Sequence, residues 1–150
     1  MLNIREAAPG DAEALHELYM CHLVPSPPEE PQDMVAWANL LAEFTANPGY
    51  HLLVGGLDGK LVSSVTVIVI KNLPRGLRPY AVIENVVTHG AFRNRGFAHA
   101  LMEAASIIAK DAGCYKIMLM TGSKLESTLR FYERCGFNKN DKTAFIKWLD

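Results

Sequence analysis

One stretch restricts the fold more than any other: Tyr80 to Thr88, a nearly uninterrupted apolar run that passes through a short turn into a helix opening at Gly96. A strand this apolar is buried on both faces, which places it centrally in a sheet covered by helices on each side. Two polar residues, Glu84 and Asn85, interrupt the run. An ionised carboxylate there is costly unless it faces a polar cleft or an ion-pair partner.

The remaining segments supply neighbours for that strand. Leu2–Glu6 alternates as a short strand, and Asp11 is placed to cap a helix over about Ala12–His22, with Leu15, Leu18, Tyr19 and Leu23 at helical spacing. The prolines of Val24–Pro31 make that stretch a loop between helices. Asp33 caps a second helix, whose Trp37, Leu40, Leu41 and Phe44 share one face, Trp37 and Phe44 reading as core, and Asn47-Pro48-Gly49 ends it. Tyr50–Leu57 and Leu61–Ile70 read as a hairpin about Asp58-Gly59, followed by a basic loop, Lys71–Pro79.

The helix from Gly96 reaches about Ala112, with Leu101, Ala105, Ile108 and Ala109 inward and Gly113 as terminator. Then come a strand over Tyr115–Met120, a helix over Leu125–Cys135, and closing β structure at Phe137 and Thr143–Leu149. Met118 and Met120 alternate in their strand and read as core. The expected order is β-α-α-β-β-β-α-β-α-β: an α/β fold with a mixed sheet, in one domain spanning residues 1–150.

Composition narrows the function classes. With 49% apolar and 21% charged residues, 150 residues can bury a core without staples. A net charge of −1 argues against general capture of nucleic acid. The longest apolar run, Val65 to Ile70, is far short of a membrane span, and Met1–Glu6 has no basic-then-apolar leader. Cys21, Cys114 and Cys135 are widely spaced, without a C-x-x-C pair that would point to a metal. They read as free thiols packed as small hydrophobes in a reducing cytoplasm.

The chemistry concentrates at the turn. A buried strand leads into Arg93-Asn94-Arg95-Gly96-Phe97-Ala98, where the helix N-terminus offers free N–H groups and a dipole suited to an anion such as a diphosphate. Gly96 and Ala98 let the anion approach the backbone, and Arg93 and Arg95 add charge. Neither G-x-G-x-x-G nor a Gly-Lys-Ser/Thr loop is present. His89 and His99 read as a turn residue and an exposed helix residue. Lys71, Arg75 and Arg78 form a basic cluster, either solvated or facing a phosphate or carboxylate on a ligand.

Arg93-x-x-Gly96-x-Ala98, behind Ile83-Glu84-Asn85-Val86-Val87, resembles the acyl-coenzyme A pyrophosphate motif of the GNAT superfamily of N-acetyltransferases. Phe131-Tyr132-Glu133-Arg134-Cys135-Gly136-Phe137 resembles the F-Y-x-x-x-G-F signature that ends the superfamily's last helix. Ile4–Ala7 and Asp11-Ala12 look like its opening strand and first cap. Within the superfamily, the strand and Cys114-Tyr115-Lys116-Ile117 look most like the glucosamine-6-phosphate N-acetyltransferase branch. Asn85 stands where that branch usually has an acid, and Leu125 where many members have an asparagine that contacts coenzyme A.

The resemblance implies direct transfer of an acetyl group from acetyl-coenzyme A to a primary amine of a small molecule, an amino sugar phosphate being a first candidate. It implies that backbone N–H groups of Val86, Val87 and Thr88 hold the pantetheine arm, that Arg93 to Ala98, with Asn94 and Phe97 between, hold the pyrophosphate, and that Tyr132 protonates the departing thiolate. Glu84 is the candidate base, directly or through water, and Arg75 and Arg78 are candidate acceptor contacts. No metal is implied, and a homodimer would fit the superfamily's habit. The alternatives are a non-catalytic acyl-coenzyme A-binding module, or an acetyltransferase acting on a protein or peptide amine.

Overall fold

The computed structural model describes all 150 residues. Its sheet comprises β1 (Asn3–Glu6), β2 (Tyr50–Leu57), β3 (Lys60–Ile70), β4 (Tyr80–Thr88) and β5 (Ile117–Leu119), in that spatial order. All neighbours are antiparallel except β4 and β5. Between them run α1 (Ala12–His22), α2 (Met34–Ala46), α3 (Phe97–Asp111) and α4 (Glu126–Arg134). The β2–β3 hairpin turns at Asp58 and Gly59, whose φ values of 50° and 79° suit those two residue types.

Strand alternation divides the core between two faces. Leu53, Val65, Val67, Ala81 and Ile83 point toward α3, whose Leu101, Met102, Ala105 and Ala109 are buried against them. Leu52 and Val54 point the other way, onto Leu15 of α1 and Leu41 of α2, with Trp37 and Phe44 packed around them as expected. Cys114 and Cys135 pack at the margin of the first cluster, whereas Cys21 is exposed on α1 and does not serve as a core residue. Met120, 54% exposed, is not core either, because β5 ends before it.

Three further expectations are corrected. The apolar strand β4 is next to the edge rather than central; β3 holds the middle. Its apolar character still follows, because helices cover both faces of the sheet. Asp11 makes no side-chain cap to α1. Its carboxylate instead takes both nitrogens of Arg5, at 2.7 and 2.8 Å, and the Ala8 N–H at 2.8 Å, closing a short 3-10 turn ahead of the helix. Asp33 does cap α2, accepting from Val35 and Ala36.

The closing β structure at Phe137 and Thr143–Leu149 does not form. Phe137 packs against the α3 cluster, but residues 138–150 hold no regular element, so the order ends at α4. The local pattern there is strand-like, yet a strand exists only where another backbone bonds to it. That segment pairs with none of this chain's strands.

Candidate active site

The site is built where β4 and β5 separate. Their pairing covers only Ala81–Ile83 against Ile117–Leu119, and Glu84 is the first residue beyond it. Over the same stretch β4 carries a bulge: Thr66 of β3 pairs with Glu84 and Ser64 with Val87, so Asn85 and Val86 together face Val65. Asn85 adopts φ 52°, a left-handed conformation that asparagine tolerates better than most residues. A bulge re-aims side chains and ends pairing. It accounts for why Glu84 and Asn85 are exposed in an otherwise buried strand, and why the segment Asn85–Thr88 has β3 on one side and no strand on the other.

That open segment is braced at its far end. The Ser63 hydroxyl donates to the Val87 carbonyl at 2.8 Å and lies 2.8 Å from the Thr88 hydroxyl. Arg93 Nε donates to the Thr88 carbonyl at 3.3 Å. The turn then passes through Asn94 at φ 60° and Gly96 at φ 77°. Gly96 is the N-cap of α3 and supplies no capping side chain, so the first-turn N–H groups of the helix are unclaimed; the first internal bond runs from Ala100 N–H to the Gly96 carbonyl at 3.0 Å. A Cβ added at Gly96 would meet nothing within 4 Å, so the backbone there faces open space. Arg95 lies over the Phe92 ring, 5.2 Å from its centroid.

These features suit a diphosphate: unclaimed N–H donors at a 15-residue helix, an unobstructed glycine, and two arginines at the rim.

Tyr132 arrives from α4. Its ring packs edge-on to Phe131 and Phe137, with centroids 5.1 and 6.4 Å away, as its F-Y-x-x-x-G-F surroundings require. Burial pushes its phenol above the usual tyrosine range, with smaller contributions from Cys135 and Glu84. The Glu84 charge also adds to the rise at Tyr50, where burial dominates and Tyr19 contributes. Tyr132 packs with the α3 cluster and Tyr50 with the α1/α2 cluster, so the two phenols lie on opposite faces of the sheet.

Sequence reasoning missed the polar floor on that second side. Tyr19 Oη lies 3.4 Å from Ser64 Oγ, and burial raises the Tyr19 phenol. Ser64 and Thr66 are fully buried on this side, and Thr66 Oγ1 has no hydrogen-bond partner; Ser63, equally buried, alternates to the α3 face. Three hydroxyls within the buried β3 strand were the available signal. Also missed was the His22–His89 pair, with ring centroids 4.1 Å apart.

Other predicted residues lie elsewhere. Arg78 donates to the carbonyls of Gly113 at 3.2 Å and Cys114 at 3.3 Å, and Arg75 lies 5.7 Å over the Tyr115 ring, both beside the start of β5. His89 is the turn residue expected, its Nδ1 accepting from Ala91 N–H. His99 is exposed on α3, near Glu103 and 3.4 Å from Cys135 Sγ. Leu125 is 68% exposed at the start of α4.

The Acetyltransferase (GNAT) family matches residues 12–137, most of the chain and all of the features just described. The chain belongs to the GNAT family. A glucosamine 6-phosphate N-acetyltransferase of Trypanosoma brucei brucei is 32% identical over 84 residues, covering 56% of this chain and 55% of that protein. The aligned region thus spans about half the length of this curated GNAT relative. A candidate acetyltransferase from Agrobacterium tumefaciens str. C58 is 40% identical, with a TM-score of 0.87 over 97% of this chain and 99% of its own. A transcriptional regulator from Bacillus halodurans C-125 shares the GNAT-like fold at 27% identity and a TM-score of 0.86, over 99% of this chain and 100% of its own.

Proposed function

We propose that this chain transfers the acetyl group of acetyl-coenzyme A to a primary amine of a small molecule, with an amino sugar phosphate as the first acceptor to try. The observation that carries the reading is the split between β4 and β5. It sets Glu84, the open edge Asn85–Thr88 and the uncapped start of α3 in sequence along one strand and its turn, and Tyr132 packs against the cluster that α3 covers. The relative from Trypanosoma brucei brucei supports the acceptor class.

Acetyl-coenzyme A supplies an activated thioester; the protein holds it and manages two protons. First-turn N–H groups of α3, with Arg93 and Arg95, hold the diphosphate. Val86, Val87 and Thr88 offer backbone donors to the pantetheine arm and the acetyl carbonyl oxygen. As the C–N bond forms and the C–S bond breaks, one proton leaves the amine nitrogen for Glu84, directly or through water, and one passes from Tyr132 Oη to sulfur. The Tyr132 phenol is protonated at neutral pH, since tyrosine titrates near 10 and burial raises it, so it holds a proton to pass to the departing sulfur. The three free cysteines fit a reducing, cytoplasmic setting.

The test is calorimetric titration with acetyl-coenzyme A, together with thiol release measured over a panel of sugar phosphates, small amines, amino acids and peptides. The reading expects binding and turnover on a small amine. Binding with no turnover on any amine would instead assign a sensing module, and turnover on peptides alone would assign a protein-modifying enzyme.

A further inference from the structure

The sheet face turned toward α1 and α2 carries an apolar strip that neither helix layer packs. Tyr50, Ile68, Val82 and Met118 pair in one row from β2 to β5, which puts their side chains on that face. Ile68, Val82 and Met118 are only half-buried and belong to neither core cluster, which corrects the expectation that Met118 is core. They form a shelf beside the split between β4 and β5.

Opposite charges stand at the two ends of this shelf. Glu84, paired with Thr66 in the next row, shares its face and is exposed. At the other end Ala81 N–H donates to the Lys116 carbonyl at 3.0 Å, which sets Lys116 beside Tyr80, and both alternate onto the same face. Lys116 Nζ lies 5.2 Å from the Tyr80 ring centroid and 5.4 Å from that of Tyr115. Arg75 lies over the Tyr115 ring as well, and the Asn72 amide holds that ring by donating to its Oη at 3.3 Å.

The turn that presents Arg75 is strained. Arg75 and Leu77, neither of them glycine, take φ 60° and 64°, and Leu77 N–H closes the turn on the Leu73 carbonyl at 3.3 Å. Strain of this kind persists only where the surroundings hold it, and it gathers at binding sites. Glu84, Lys116 and Arg75 make no ion pair with any other residue. An unpaired carboxylate and two unpaired cations, with an apolar surface between them, complement a ligand whose charges run the other way.

We infer that the acceptor is an elongated amine with an apolar body and a terminal anion. Its nitrogen sits at Glu84, its body lies along Val82 and Met118, and its anion meets Lys116 and Arg75. This rests on the acetyl transfer proposed above: the nitrogen takes the acetyl group, Glu84 takes its proton, and coenzyme A leaves as the thiol. Tyr80 and Glu84 are four residues apart, about 13 Å along the strand. An amine and an anion on neighbouring atoms, as in a free α-amino acid, cannot meet both ends. The hydroxyl-rich body of an amino sugar phosphate would lie against aliphatic side chains, so it ranks below an aliphatic amine of the right length. The Met118 thioether adapts readily to such a body.

The test is thiol release from acetyl-coenzyme A with glycine, γ-aminobutyrate, ω-aminooctanoate, octylamine and glucosamine 6-phosphate as acceptors. kcat/KM should rise at least about tenfold from γ-aminobutyrate to ω-aminooctanoate, which should exceed octylamine and glucosamine 6-phosphate by a similar factor. In Arg75→Gln/Lys116→Gln the advantage of ω-aminooctanoate over octylamine should shrink to within about twofold. Turnover that is indifferent to length and to the carboxylate, or a carboxylate preference that survives in the double variant, overturns this acceptor and leaves the acetyl transfer standing. Calorimetric binding of acetyl-coenzyme A without turnover on any amine overturns the transfer, and this acceptor with it.

Discussion

The backbone N–H of Gly90 donates to Nδ1 of His22 across 3.3 Å, which ties the end of α1 to the turn that leads into α3. The bond requires an unprotonated Nδ1 on His22, and the surroundings of the ring favour this. Burial lowers the His22 pKa below 6.5, with His89 and Arg93 adding to it and Glu17 opposing.

A group whose folded pKa is depressed in this way binds its proton more readily when unfolded. Stability is therefore full above about pH 6.5 and declines as the pH falls through that value toward the folded pKa. Melting temperature followed from pH 8 to 5 should fall more steeply for the wild type than for His22→Asn. Parallel curves would mean that the His22–Gly90 contact carries no proton linkage.

Gly96 gives the sharpest test of the anion cradle. Its φ of 77° costs a residue with a Cβ about 1–2 kcal/mol, and more if β-branched. Since nothing crowds the position, Gly96→Val should leave a folded protein whose coenzyme A affinity is reduced at least tenfold. Gly59→Ala, at φ 79° in the β2–β3 hairpin, bears a similar backbone cost far from the cradle and should bind normally. Equal affinities in the two variants would dissociate Gly96 from cofactor binding.

Ser63 should matter to function more than its distance from any charge suggests. Its hydroxyl braces Val87 and Thr88, the end of the open β4 segment. Ser63→Ala leaves the Thr88 hydroxyl without this partner and should destabilise the protein by about 1–2 kcal/mol. It should also raise the KM for acetyl-coenzyme A several-fold, with kcat less affected. A change in stability with unaltered KM would make the brace structural only.

Arg5 and Asp11 give a test at the acid end. The Arg5 guanidinium holds the Asp11 carboxyl below its ordinary 3.8, outweighing burial. A depressed carboxyl contributes stability above pH 3.8 that is lost as the pH falls through the folded value. Arg5 is 44% exposed, so solvent screening limits the pair to about 0.5–1 kcal/mol. Urea unfolding of Arg5→Ala should show that deficit at pH 7 and approach the wild type as the pH falls from 3.8 through the folded value; a constant deficit would locate the effect in packing.

What the sequence disclosed follows the range of each signal. α1, β2 and β4 fall where spacing and turn residues put them, because Asp58-Gly59, the Asn47–Gly49 stop and helical periodicity act over a few residues. The Arg93–Ala98 turn and Phe131–Phe137 were legible for the same reason. The β4 bulge was not: Glu84-Asn85 signalled polarity, but a register shift is a relation between two strands. Asp11 was misjudged because Arg5, six residues earlier, competes for its carboxylate. Thr143–Leu149 has strand composition without a strand partner, and composition cannot supply one.

The central claim is that chemistry occurs at the split between β4 and β5, with Tyr132 as the proton donor to sulfur. Steady-state thiol release by wild type and Tyr132→Phe, on whichever amine the wild type accepts, tests it most directly. The account predicts that kcat falls by about 10² or more while the dissociation constant for acetyl-coenzyme A stays within twofold. A Tyr132→Phe enzyme with wild-type kcat would contradict it.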